Sequence, residues 1–233
     1  MAQEAPTAPK DKISYCIGID IGTNLKKSGI EISPEMLSKG LSDAIAGNKP
    51  VLSKEDMQQT MQAFETEMRA KASEKQKAAS DKNKTDGEAY LAANKAKEGV
   101  KITASGLQYK VITEGKGPMP KATDTVKVNY RGTLVDGTEF DSSYKRGEPI
   151  TFPVNGVIPG WTEGLQLMPV GSKWQLVIPS NLAYGEQAPP SIGPNSTLVF
   201  EVELLGIEKP GDKDKAAADK SAEKPAEKAK KTK

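Results

Sequence analysis

The stretch AYGEQAPPSIGPNSTLVFEVEL, residues 183–204, decides the fold. In its second half Leu198, Phe200, Val202 and Leu204 fall at every second position, which puts them on one face of a β-strand. Its first half is rich in Gly, Pro and Ser and reads as a long loop. Outward from this strand, the same alternation recurs at Trp174, Leu176 and Ile178, at Val126, Val128 and Tyr130, and at Leu107, Tyr109 and Val111. Each set is bounded by Gly, Pro or Asp, the pattern of an antiparallel sheet with one buried face. Asp136-Gly137 is a hairpin signal, and Trp161 to Leu167 is a short helical candidate. The expected architecture is α+β, with about five strands wrapped on one short helix over residues 104–208.

Upstream, the period changes to that of helices. Ile13, Ile17, Ile21 and Leu25 lie at i+4 steps, and Gly29 ends the segment. Ser33-Pro34 reads as a helix start, followed by Leu37, Leu41 and Ile45. Ser53-Lys54-Glu55-Asp56 resembles a capping box and opens a third helix with Met57, Met61, Phe64 and Met68 on one face. Beyond Met68 the chain is almost all Ala, Lys and polar residues, so a solvated helical stalk is expected over 69–103, with a break at Asp86-Gly87. Three thin apolar stripes make a poor core, so residues 12–68 are read as a homodimerisation domain, the alternative being helices packed on the rest of their own chain. Residues 1–11 and the Lys/Ala-rich tail 209–233 are expected to be disordered.

Composition removes several function classes. The 233 residues contain no histidine, which excludes Ser-His and Cys-His nucleophilic pairs and His-containing zinc sites. No metal or cofactor is expected. The single cysteine, Cys16, cannot form an intrachain disulfide, and its isoleucine neighbours suggest a buried, inert thiol. A net charge of +2 gives no case for nucleic-acid binding. No apolar run approaches the ~20 residues of a membrane span. MAQEAPTAPKDK lacks the apolar core of a signal peptide, leaving a cytosolic protein or a mature exported chain behind an added Met.

Nine of the twelve aromatic residues lie between Tyr109 and Phe200, which raises the question of whether some line a cavity rather than fill the core. Three stretches bear on it: YRGTLVDGTEFDSS (130–143), VIPGWTEGL (157–165) and the opening stretch 183–204. In this order and spacing they resemble the FKBP family of peptidyl-prolyl cis-trans isomerases. The helical half, with SYCIGIDIGTNLKK and MQAFE, resembles the dimerisation module of the bacterial FKBPs of the macrophage infectivity potentiator type and their periplasmic folding-factor relatives.

The resemblance implies a pocket for proline-containing segments of unfolded or partly folded proteins, and for macrolide inhibitors. It implies that Tyr130, Phe140, Phe152, Val157, Trp161, Ile192 and Phe200 bind the substrate and that Asp141, Tyr184 and Ile158 carry the catalytic roles. The chain departs from the family near 150–154, where Ile150 stands in place of a common aromatic, and in the loop QAPPSIGP, which is about one residue short. Read without the resemblance, Tyr130 and Phe200 are equally plain sheet core, and Asp141 reads more readily as a turn or cap residue before Ser142-Ser143. The resemblance also implies a periplasmic location. A non-catalytic holdase chaperone is the alternative function, and both activities can coexist in one helical dimer.

Overall fold

In the computed structural model, residues 5–208 are described. The chain divides into two compact units between Met68 and Arg69.

In the first unit, α1 (Pro9–Lys27) and α2 (Pro34–Ala46) are joined through Gly29 to a capped turn. The Ser33 hydroxyl accepts from the Met36 N–H at 3.3 Å, in keeping with its position before Pro34. Helix α1 begins earlier than the expected residue 12. Ala8 is extended and Pro9 sits at the first helical position, so the low-complexity start becomes helical at Pro9. Neither helix buries a residue within the chain: Ile13, Ile17, Ile21, Leu37, Leu41 and Ile45 are all exposed. An open groove of about 950 Å³ runs between them, lined by Ile17, Ile21, Leu25, Ile30, Leu37 and Leu41. Cys16 is exposed rather than buried, because the helix that carries it has no covered face. The expected tail at 209–233 lies outside the described residues.

Helix α3 (Lys54–Asn94) opens with the expected cap: Ser53 Oγ accepts from the Asp56 N–H at 3.0 Å and donates to Asp56 Oδ2 at 2.7 Å. The helix does not break at Asp86-Gly87. Nor is its last part a bare stalk. Gly87 faces Thr197 so closely that a Cβ on it would lie 2.4 Å from Thr197 Oγ1. Asn94, buried, donates to Gln108 Oε1 at 2.9 Å, and Gln108 Nε2 donates to the Leu91 carbonyl at 3.0 Å. Polar and small residues do this docking, which a search for apolar stripes passes over.

The second unit is built on seven strands rather than about five: β1 (Val100–Ile102), β2 (Gln108–Thr113), β3 (Thr125–Leu134), β4 (Glu139–Ser142), β5 (Ile150–Pro153), β6 (Lys173–Ile178) and β7 (Leu198–Glu208). They pair antiparallel in the order β1-β2-β6-β7-β3-β4, with β5 also on β3. The extra strands are three or four residues long, too short to show an alternation, and β1 falls inside the stretch read as linker. The Asp136-Gly137 turn joins β3 to β4, with Asp136 Oδ1 accepting from the Thr138 N–H at 2.9 Å.

A short helix, α4 (Ser143–Arg146), follows β4, and α5 (Pro159–Leu167) crosses the sheet, burying Trp161 and Leu165. The core gathers Leu107, Val126, Val128, Leu165, Trp174, Leu176, Ile178, Leu198, Val202 and Leu204. One register position shapes the space above the sheet. Gly132 on β3 pairs with Phe200 on β7, and a Cβ there would lie 2.6 Å from the Phe200 ring and 2.8 Å from Phe140. Only glycine leaves room for both rings above that strand.

Candidate active site

Above Gly132 and beside α5 lies a cavity of about 500 Å³. Its wall is assembled from separate elements: Tyr130 from β3, Phe140 and Asp141 from β4, Ile150 and Phe152 from β5, Trp161 from the first turn of α5, Tyr184 from the long loop, and Phe200 from β7. Gly156, Val157 and Ile158 complete it just before α5. Trp161 is the hub. Its ring meets Tyr130 at 5.2 Å and 89°, Phe200 at 5.1 Å and 87°, and Phe152 at 5.4 Å. Phe140 meets Phe200 edge-on at 5.6 Å. Such edge-to-face contacts add about 0.5–1.5 kcal/mol per pair beyond area burial, so the box is rigid as well as apolar.

The residues singled out in the sequence therefore meet in one place, with one exception. Ile192 is buried in the hydrophobic core and does not line the cavity. A tight turn closed by its own N–H on the Pro189 carbonyl, at 2.9 Å, carries it there. Ile150, which departs from the family's aromatic, lines the cavity together with Phe152, as its place on the same strand face allows.

Polar groups are few and fixed. The Tyr130 hydroxyl donates to Asp141 Oδ2 at 2.5 Å. Arg146 donates to Asp141 Oδ1 at 2.5 Å and to the Tyr130 hydroxyl oxygen at 2.6 Å. The Ser142 N–H also donates to Asp141, at 2.8 Å. Burial works against the Asp141 charge, but the hydrogen bonds from Tyr130 and Arg146 and the guanidinium charge outweigh it and hold the carboxyl below its ordinary pKa. Burial, then the bond to Asp141, pushes the Tyr130 phenol up.

Arg146 is not evident from the sequence. Its only signal there is a guanidinium five residues beyond a carboxylate, with a helical turn between. Ser143 carries no signal either: buried, its hydroxyl accepts from the Tyr130 N–H at 2.9 Å and ties α4 to β3. Among the described residues, two N–H groups of the wall stand without an acceptor, in addition to the Tyr184 hydroxyl. The Ile158 N–H, ahead of α5, has no backbone acceptor among the described residues. The buried Trp161 indole N–H has no partner there either.

An aromatic box with a pinned carboxylate suits an uncharged, ring-shaped ligand, and comparison with known proteins gives the family. Residues 117–205 match the model of the FKBP-type peptidyl-prolyl cis-trans isomerase family, and residues 10–111 match that of the domain amino terminal to it. The outer membrane protein MIP of Legionella longbeachae is 48% identical over 204 residues, covering 87% of this chain and 88% of that protein. The chain belongs to the FKBP-type peptidyl-prolyl cis-trans isomerases. The FKBP-type 22 kDa isomerase of Escherichia coli K12 is 52% identical over 196 residues, 83% of this chain and 93% of that one. The crystal structure of FkpA from Escherichia coli superposes with a TM-score of 0.68 at 44% identity, over 88% of this chain and 99% of that one. This FKBP is thus an isomerase of proline peptide bonds.

Proposed function

We propose that this FKBP accelerates X–Pro isomerisation in folding proteins by moving the prolyl segment into the desolvated box around Trp161. The observation that carries the reading is the cavity wall itself, apolar and aromatic except for Asp141, the Tyr130 and Tyr184 hydroxyls and the N–H groups of Ile158 and the Trp161 indole. The uncatalysed barrier is about 18–20 kcal/mol because twisting removes amide resonance, and the reaction takes tens to hundreds of seconds. The twisted amide has a less polar carbonyl than the planar one. A dry pocket therefore stabilises the transition state relative to the ground state, with no proton transfer and no nucleophile, in keeping with a chain that has no histidine.

Placement on the cavity wall supports a role for each residue. Tyr130, Phe140, Phe152, Val157, Trp161 and Phe200 enclose the prolyl ring. The Ile158 N–H takes one substrate carbonyl. Tyr184, 42% exposed on the cavity wall, donates its hydroxyl to another. Asp141, locked by Tyr130 and Arg146, sets the field at the twisted carbonyl. The same box takes macrolide inhibitors as competitors of the peptide. A Tyr184→Phe variant is expected to lose about two- to tenfold in kcat/KM on an X–Pro peptide, the worth of one hydrogen bond to a neutral acceptor. Full activity in that variant sinks the Tyr184 role.

The helical unit supports a second part of the reading, a homodimer with chaperone activity. Most of its apolar residues are exposed, and the groove between α1 and α2 is lined mainly by apolar side chains and glycines. A second copy would cover those faces, and two pockets on one dimer gain avidity for a single unfolded chain. Ile17→Glu with Leu41→Glu is expected to give a monomer by light scattering. That monomer keeps its activity on a short peptide and loses its suppression of client aggregation. A dimer that survives both charges overturns the assignment.

A relative named as an outer membrane protein supports an envelope location. A signal peptide encoded ahead of Met1 decides for the periplasm, and its absence from the gene decides against it.

A further inference from the structure

The loop that carries Tyr184 runs between β6 and β7, from 179 to 197, without strand pairing. It is closed on itself by the Asn195 N–H donating to the Gly185 carbonyl at 2.8 Å and by the Ser196 hydroxyl donating to the Ile192 carbonyl at 2.8 Å. Asn195 is the one non-glycine residue among those described with a positive φ, 55°. A backbone of that kind costs on the order of 1 kcal/mol or more and persists where its surroundings hold it.

What holds it includes α3. Asn195 Nδ2 donates to Ser80 Oγ at 2.8 Å, and Asn83 Nδ2 donates to the Pro194 carbonyl at 2.8 Å. Gly193 lies so close that a Cβ on it would be 3.1 Å from Asn83 Nδ2. Ser80, Asn83 and Gly87 are spaced i, i+3 and i+7, one face of the helix, and Gly87 extends the contact to Thr197.

We infer that Ser80 and Asn83 are positioning residues of the isomerase: they pin Asn195 and Pro194, and the Asn195 bond to the Gly185 carbonyl then sets where Tyr184 stands on the pocket wall. The sheet and α5 fix the other wall residues through packed cores. Tyr184 is half exposed and sits beside Gly185, so its position depends on the loop's backbone ties rather than on burial. The helix nominally serving as a stalk is thus part of the substrate site's frame. This inference rests on the proposed role of Tyr184.

The test uses the full-length protein in a proline-peptide isomerase assay. Asn83→Ala removes the donor, and Asn83→Asp keeps the shape while facing the Pro194 carbonyl with a second acceptor. Each is expected to lower kcat/KM by about three- to tenfold, mainly through KM, with unchanged circular dichroism. In a Tyr184→Ala background the same changes are expected to cost almost nothing further, because the group they position is gone. If Tyr184→Ala is impaired and both Asn83 variants keep wild-type kcat/KM, the inference falls while the Tyr184 role stands. An equal fold-loss in both backgrounds also overturns it, since α3 would then act by some route other than Tyr184. If Tyr184→Ala costs nothing, the Tyr184 role falls and takes this inference with it.

Discussion

Replacing Trp161 by alanine is expected to lower kcat/KM toward an X–Pro peptide by about a hundredfold, equivalent to ~2.7 kcal/mol at 1.36 kcal/mol per tenfold. Trp161 touches three of the rings that would enclose the substrate, Tyr130, Phe152 and Phe200. Removing it opens the cavity floor to water, so the twisted amide loses the apolar surroundings that favour it over the planar form. The indole is also core, buried against α5 and the sheet, so stability falls too, by about 3–5 kcal/mol. A domain with about 5–15 kcal/mol in hand remains folded at room temperature. Trp161→Leu separates the two effects, because it keeps much of the packed volume and none of the ring edge that faces Tyr130. Peptide isomerisation, measured beside thermal unfolding, checks both. A folded Trp161→Leu protein with undiminished kcat/KM would remove the aromatic box from the mechanism.

How far this site is legible in the sequence depends on what kind of contact places each residue. Tyr130 and Phe200 belong to strands whose alternation is visible, so the place of each on a buried face follows from the spacing of apolar residues; Phe152 lies on a four-residue strand that only the family resemblance marks. Trp161 is visible as an aromatic opening a short helix after Pro159. That they converge on a cavity, rather than fill the core, comes from the family resemblance, because periodicity reports burial and says nothing of what a buried face encloses. Ile192 shows the reverse failure. Loops have no period from which the direction of a side chain could be read, and Ile192 joins the hydrophobic core.

The polar contacts are hardest to see. Arg146 reaches Asp141 across a four-residue helix, and Asn83 reaches Pro194 from more than a hundred residues away. Ser80, Asn83, Gly87 and Asn94 do repeat on one helix face, yet nothing apolar marks them, and a Lys/Ala-rich background reads as solvated. The exposed stripes of α1 and α2 show that an apolar period can be read correctly and still leave its partner open, since neither helix buries those residues within the chain.

Asp141 is where the electrostatics of the site become measurable. Asp141→Ala leaves the Tyr130 hydroxyl and the Arg146 guanidinium without their shared acceptor. Hydrogen bonds to a charged group are worth about 1.5–3 kcal/mol, so kcat/KM is expected to fall by roughly ten- to a hundredfold. Asp141→Asn, which keeps an acceptor but not the charge, should lose less. The wild-type pH profile tests the same arrangement from another side. Asp141 is held below the ordinary carboxylate value, so its contribution is present above about pH 4 and is lost as the pH falls through its lowered pKa. Tyr130 is raised above the ordinary phenol value, so its donor is intact below about pH 10 and is lost only as the pH rises through that raised pKa. The chain has no histidine to titrate between these limits. kcat/KM is therefore expected to be flat from about pH 5 to about pH 9. An inflection near neutrality, preserved in Asp141→Asn, would mean that a group outside the Tyr130–Asp141–Arg146 cluster controls the reaction.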